Sequence, residues 1–211
     1  MSQIPSMRLW MSQEFTSMSS RVSGPITEAS NRLPGDLAMW FFILAELTVF
    51  AIFFIGFAVS EQLNIELFKQ GKAQLHKTAG VINTIALITS SLFVALAVRA
   101  IHQKNNQLSI QLLTLAQLCS CVYLLCKSWE YHSLFELGFT IETNVFFTLY
   151  FLITFFHFLH VILGMVILGF IAVKAKTDSY QHDVSGFESG ACYWHMVDMV
   201  WIILFPLVYV I

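Results

Sequence analysis

The sequence predicts an all-α polytopic membrane protein, a bundle of five transmembrane helices behind a polar N-terminal arm. Three observations carry that reading. Of the 211 residues, 57% are hydrophobic and 11% charged, whereas a soluble domain carries roughly a quarter charged residues. One water-soluble core of this length cannot hide so much apolar surface, which includes 20 Phe. Five apolar runs each reach the roughly 20 residues that a helix needs to cross about 30 Å of hydrocarbon. The runs are continuous rather than alternating, which excludes barrel strands and leaves helices, whose backbone groups are satisfied within the segment.

Residues 1–36 hold eight serines and no apolar h-region, so this arm reads as retained rather than as a cleaved signal peptide. Met7, Trp10, Met11, Phe15 and Met18 recur at helical spacing beside Arg8, Gln13 and Glu14. That pattern fits either a short interfacial helix or a polar tail without fixed structure. Pro34-Gly35-Asp36 breaks the chain, and Asp36 is placed to cap the first membrane helix. The five spans are expected at about 37–59, 81–100, 108–126, 145–173 and 191–211, and the long fourth is expected to tilt or to project beyond the headgroups.

Charge then limits function and sets orientation. A net charge of −2 gives no electrostatic footprint for nucleic acid. Cys119, Cys121 and Cys126 lie inside or at the end of the third run and Cys192 at the start of the fifth, so the cysteines read as reduced apolar fillers with no metal-binding CxxC. With five spans, Arg8, Arg21, Arg32, Arg99, Lys104, Lys174 and Lys176 share one side, and Lys69, Lys72, Lys77 and Lys127 the other. Seven against four puts the N-terminus in the cytoplasm and the C-terminus outside.

Polar residues inside the apolar runs are the candidates for function. Glu46 lies nine residues into the first run, about 14 Å deep, where an ionised carboxylate is costly. It therefore either makes an interhelical hydrogen bond to Ser, Thr or His, or serves proton handling or a lipid-linked cavity. In the fourth run, His157, His160 and Gly164 share one helical face, and the glycine lets another backbone come close. Paired imidazoles in a membrane helix can ligate haem or a metal, with His195 as a third ligand; interhelical hydrogen bonding is the default. In the fifth run, His195, Asp198 and Trp201 follow at intervals of three, so Asp198 is expected to hold His195 within its own helix, in a structural polar network with Glu188.

At these residues the chain becomes recognisable. Tyr193-Trp194-His195, Val197-Asp198 and Trp201, preceded by Phe187-Glu188, resemble the C-terminal signature of subunit III of haem-copper oxidases. The same resemblance runs through Phe156-His157-Phe158-Leu159-His160-Val161-Ile162-Leu163-Gly164, Glu130-Tyr131, Asn83-Thr84, and Ala45-Glu46 with Phe50. It covers about residues 35–211, and the run count matches the shorter, five-helix bacterial branch rather than the seven-helix form. Pro34-Gly35-Asp36, Phe41-Phe42-Ile43-Leu44-Ala45-Glu46 and Leu87-Ile88-Thr89-Ser90-Ser91 look most like the accessory protein encoded with nitric oxide reductases.

The resemblance implies a non-catalytic subunit of the bacterial inner membrane, without catalytic residues, haem or metal of its own. Its partner is a haem-bearing catalytic membrane subunit, which does the oxygen or nitric oxide chemistry. It also implies a cleft that holds phospholipid and supports proton uptake and durability of that partner. Glu46 matches the family's membrane-embedded glutamate in the cleft, and Lys174 falls where the family places a basic residue near lipid phosphate. His157 and His160 join them as proton- or lipid-linked candidates. Two other readings stay open: an independent transporter or proton channel, motivated by Glu46, His157 and His160, and a self-contained haem enzyme of the membrane.

Overall fold

The computed structural model describes residues 37–177 and 184–210. The N-terminal arm with Asp36, on which an interfacial helix and a cap are expected, lies outside the described residues. Six helices follow in order: α1 (Leu37–Leu63), α2 (Ile65–Ala73), α3 (Lys77–His102), α4 (Asn106–Glu136), α5 (Val145–Lys176) and α6 (Ser185–Tyr209). All but α2 are long and apolar enough to cross a membrane, so the all-α five-span reading holds.

The short α2 is unexpected. Its nine residues mix Ile65, Leu67 and Phe68 with Glu66, Lys69 and Lys72, too polar and too short to register as a membrane run. Burial of Phe68 against Phe57 of α1 and Phe146 of α5 fixes it in place.

The boundaries also differ from the apolar runs. The helix expected at 81–100 opens at Lys77, and the one expected at 191–211 opens at Ser185 and ends at Tyr209. The largest change is in α4, expected to stop at Cys126, which continues to Glu136. Hydropathy marks where lipid contact ends. Helix ends are set by backbone bonding and caps: the Asn105 side chain accepts from the Leu108 amide at 3.1 Å and Asn144 from the Phe147 amide at 3.0 Å. Tight turns then reverse the chain at Lys104 (φ 59°) between α3 and α4 and at Gly138 (φ 81°) after α4.

Helix association in lipid depends on close packing and interhelical hydrogen bonds, because the hydrophobic effect gives little advantage there. The α3–α4 hairpin uses both. Ala79, Ser90, Ala97, Ser109, Ala116 and Ser120 are buried along its seam. Ser90 Oγ donates to the Ala116 carbonyl at 2.9 Å, and Ser109 Oγ donates to the Ala97 carbonyl at 3.1 Å. Helix α6 contacts α1, α3 and α5 and buries Tyr193, Trp194, Trp201, Leu204 and Tyr209. Helix α1 offers a narrower stripe, with Ile43, Phe50 and Phe57 buried at intervals of seven. Glu46 falls on that stripe, three residues after Ile43 and four before Phe50. Fold and site are thus set by one periodicity.

Candidate functional site

On α5 the buried stripe is His157, His160, Val161, Gly164, Leu168 and Ile171, the i, i+3, i+4 pattern of a helix face turned inward. Its polar members meet different surroundings. His160 Nε2 lies 2.9 Å from Glu46 Oε2, joining α5 to α1, and His160 Nδ1 lies 2.8 Å from the Phe156 carbonyl. A carbonyl only accepts, so Nδ1 carries a hydrogen and donates. The contact with Glu46 then holds one proton, either as a carboxylic acid donating to Nε2 or as an imidazolium donating to the carboxylate. The interhelical hydrogen bond expected of Glu46 is therefore present, in a form that can shift a proton between two side chains. Phe50 and Phe156 pack on the His160 ring with centroids 5.2 and 4.6 Å away, while the Glu46 side chain keeps 20% of its exposure.

One turn away, His157 is fully buried. Its ring is enclosed by Phe50, Tyr123 and Trp201, and neither nitrogen has a hydrogen-bond partner among the described residues. The notch at Gly164 receives a side chain rather than a neighbouring backbone: a Cβ there would stand 2.7 Å from Cε3 of Trp194. Lys174 is exposed in the last turn of α5, fourteen residues and about 21 Å along the axis from His160. It does not converge with the Glu46–His160 pair.

The network expected within α6 is not formed. His195 Nδ1 is 2.7 Å from Ser91 Oγ of α3, and Trp201 Nε1 donates to Thr84 Oγ1 of the same helix at 3.0 Å. Ser91 also interacts with the Asp198 carboxyl, whose buried Oδ1 has no hydrogen-bond partner among the described residues. An offset of three residues leaves side chains about 60° apart around the axis, and the imidazole turns to the α3 seam instead of to Asp198. Glu188 stands apart near the start of α6, 2.9 Å from His102 Nε2. These groups bind α6 to α3 rather than to itself.

Sequence reasoning missed the most enclosed charges. Lys127, counted among the basic residues of the outer side, and Glu130, past the expected end of the third span, both lie within α4 with side chains at 0% exposure. Lys127 Nζ donates to Glu130 Oε2 at 2.9 Å, to Tyr150 OH of α5 at 3.0 Å and to Tyr209 OH of α6 at 2.8 Å. Tyr209 OH lies 2.9 and 2.8 Å from the two Glu130 oxygens. The rings of Tyr131, Tyr150, Trp201 and Tyr209 stand 4.8–5.8 Å from the ammonium, within the reach of cation–π attraction. A signal was available: opposite charges at i, i+3 directly after an apolar run, with Trp129 and Tyr131 beside them.

Among the described residues no three His, Cys, Asp or Glu side chains converge as a metal-holding group. The fold and these sites define a polytopic helical membrane protein tied together by polar pairs within the bundle, one of which joins α1 to α5. A model of the cytochrome c oxidase subunit III family matches residues 1–211, and the chain belongs to that family. It is 30% identical over 178 residues to cytochrome c oxidase subunit 3 of Pisaster ochraceus, covering 81% of this chain and 67% of the relative. Identity is 34% over 130 residues with the Spodoptera frugiperda protein of the same name, covering 61% and 86%. With the probable cytochrome c oxidase subunit 3 of Rickettsia conorii it is 30% over 191 residues, covering 83% and 66%.

Proposed function

We infer that the chain is a non-catalytic accessory subunit of a respiratory haem-copper oxidase or nitric oxide reductase complex, seated in the bacterial inner membrane beside a haem-bearing catalytic subunit. Within the family, the resemblance of residues 34–46 and 87–91 to the protein encoded with nitric oxide reductases favours the second kind of complex. In this reading the subunit preserves its partner during turnover, and the Glu46–His160 pair supports proton uptake. Phospholipid completes the cleft, with Lys174 as a phosphate contact at the end of α5. In this reading the haem and metal belong to the partner; here His160 is engaged by Glu46, His195 by Ser91, and the His157 ring is enclosed by Phe50, Tyr123 and Trp201. Removal of Lys127 into the bundle leaves Lys69, Lys72 and Lys77 against the seven basic residues of the other side, which favours a cytoplasmic N-terminus more strongly.

The observation that carries the proposal is the 2.9 Å contact between the Glu46 carboxyl and the His160 imidazole inside a bundle of this family. Glu46→Gln tests it, because the amide keeps a donor and an acceptor at similar volume but cannot ionise. We expect the variant to assemble with the haem-bearing partner, and the complex to lose activity faster in sustained turnover or to show an altered pH–rate profile. The comparison is made at matched lipid content. Turnover durability and pH profile identical to wild type would reduce the pair to a structural hydrogen bond. Stoichiometric haem or copper bound to this chain alone would overturn the accessory reading.

A further inference from the structure

At the end of the bundle away from Lys174, the last turn of α1, the short α2, the first turn of α3 and the end of α6 enclose a recess of about 460 Å³. Lys69, Lys72 and Lys77 line it, with Glu61 and Tyr209. Lys72 is buried, its ammonium paired with Glu61 at 2.5 Å and 5.8 Å from the Phe57 ring centroid. One carboxylate therefore answers one lysine. Lys69 and Lys77 are exposed and have no ion-pair partner among the described residues, so the recess carries two uncompensated cations.

Its rim is apolar as well as basic. Ile65 and Val210 line it while 63% and 60% exposed, and Leu63 beside it is 77% exposed. Aliphatic side chains so open belong against acyl chains rather than water. Trp129, tilted against His76 with centroids 5.2 Å apart and itself 55% exposed, marks the same end of the bundle as the headgroup level, where amphipathic aromatics gather. Basic pockets between membrane helices take anionic headgroups on the cytoplasmic side, and the same charge attraction acts on phosphatidylglycerol at this opposite end.

We propose that this recess seats the phosphate headgroup of an anionic phospholipid, with Lys69 and Lys77 on the phosphate, Lys72 held ready by Glu61, and the acyl chains along Ile65 and Val210. A free phosphate ion would use the lysines but gain nothing from the aliphatic rim. The site is remote from Lys174 and does not rest on the identity of the catalytic partner. Because Tyr209 lines the recess and also bonds Lys127 and Glu130, an occupant touches the residue that closes the buried ion pair.

The test uses the full chain in nanodiscs of phosphatidylcholine with a minority of phosphatidylglycerol, with retained lipid counted by native mass spectrometry. Wild type should retain phosphatidylglycerol over phosphatidylcholine. At about 1 kcal/mol per basic residue near the surface, Lys69→Gln or Lys77→Gln should weaken retention about fivefold, and the double variant on the order of thirtyfold. Both side chains are exposed, so circular dichroism and elution should be unchanged. A control pair at the other end, Lys104→Gln with Lys176→Gln, should leave retention as in wild type. Equal retention by wild type and the Lys69/Lys77 double variant would overturn the site. An equal loss in the control pair would reduce it to general charge, and displacement by excess inorganic phosphate would reassign it to a free anion.

Discussion

Breaking the Lys127–Glu130 pair should be the most damaging single change in the described bundle, and restoring neutrality should recover much of the loss. Both side chains have 0% exposure. Lys127→Met removes the cation and leaves Glu130 facing only the neutral hydroxyls of Tyr209 and Tyr150. Removing one partner of a buried pair costs about 3–5 kcal/mol, because the remaining charge is uncompensated; replacing both by apolar groups of similar volume is often neutral. We expect Lys127→Met and Glu130→Leu each to fall in that range. The double variant should cost about 1–3 kcal/mol, the penalty for polar groups left without partners at Tyr150 and Tyr209. The coupling is then several kcal/mol, measurable by a double-mutant cycle of unfolding in mixed detergent micelles. A double variant as damaged as the sum of the two singles would refute the reasoning, because it would mean the two charges do not compensate one another.

Three further substitutions examine the packing of α6. Gly164→Ala would place a methyl carbon 2.7 Å from the Trp194 ring, and since an indole cannot yield at its edge we expect a loss of about 1–3 kcal/mol, read as a lower melting temperature in detergent; an unchanged melting temperature would show that Trp194 shifts freely. Ser91→Ala should destabilise by about 1–3 kcal/mol, because it leaves His195 Nδ1 without its α3 partner. Asp198→Ala should cost less, as it loses only the contact with Ser91 while its Oδ1 already makes no hydrogen bond among the described residues; the reverse order would show that Asp198, not His195, is the main α6 anchor on Ser91.

The spans were legible because bilayer thickness imposes a length that composition alone reveals, and the shared face of His157, His160 and Gly164 followed from helical spacing. Periodicity assigns a face but not the element across from it. Glu46 was expected to find a Ser, Thr or His, yet only tertiary packing selects His160, 114 positions along the chain. The same limit explains His195, whose near neighbour in sequence lost to Ser91 of α3. Lys127 was misread for a different reason: hydropathy treats a lysine after an apolar run as the start of a loop. Here the cost of burial is offset by a carboxylate three residues on and by hydroxyls from α5 and α6, which no local window contains. The α2 helix was invisible because nine mixed residues produce no membrane-length signal.

The Lys127–Glu130 and Glu46–His160 pairs differ in access, and in the proposed function that difference separates architecture from proton handling. Lys127 and Glu130 are sealed at 0% exposure and engaged from three helices, so moving a proton there would disturb hydrogen bonds that tie α4, α5 and α6 together. Glu46 retains 20% of its side-chain exposure and His160 10%, and their contact crosses between α5 and α1, whose buried face is a single stripe. Any group brought against α1 approaches this pair before it meets the sealed core. Its proton can change sides between one acid and one imidazole without breaking another side-chain pair, because the Phe156 carbonyl holds the far side of the ring in place. A neighbouring subunit packed on α1 would thus reach a partly open carboxyl that is hydrogen-bonded to an imidazole of α5. In the proposed function, coupling to a partner's proton traffic would fall at that seam, while the Lys127 cluster ties α4, α5 and α6 together.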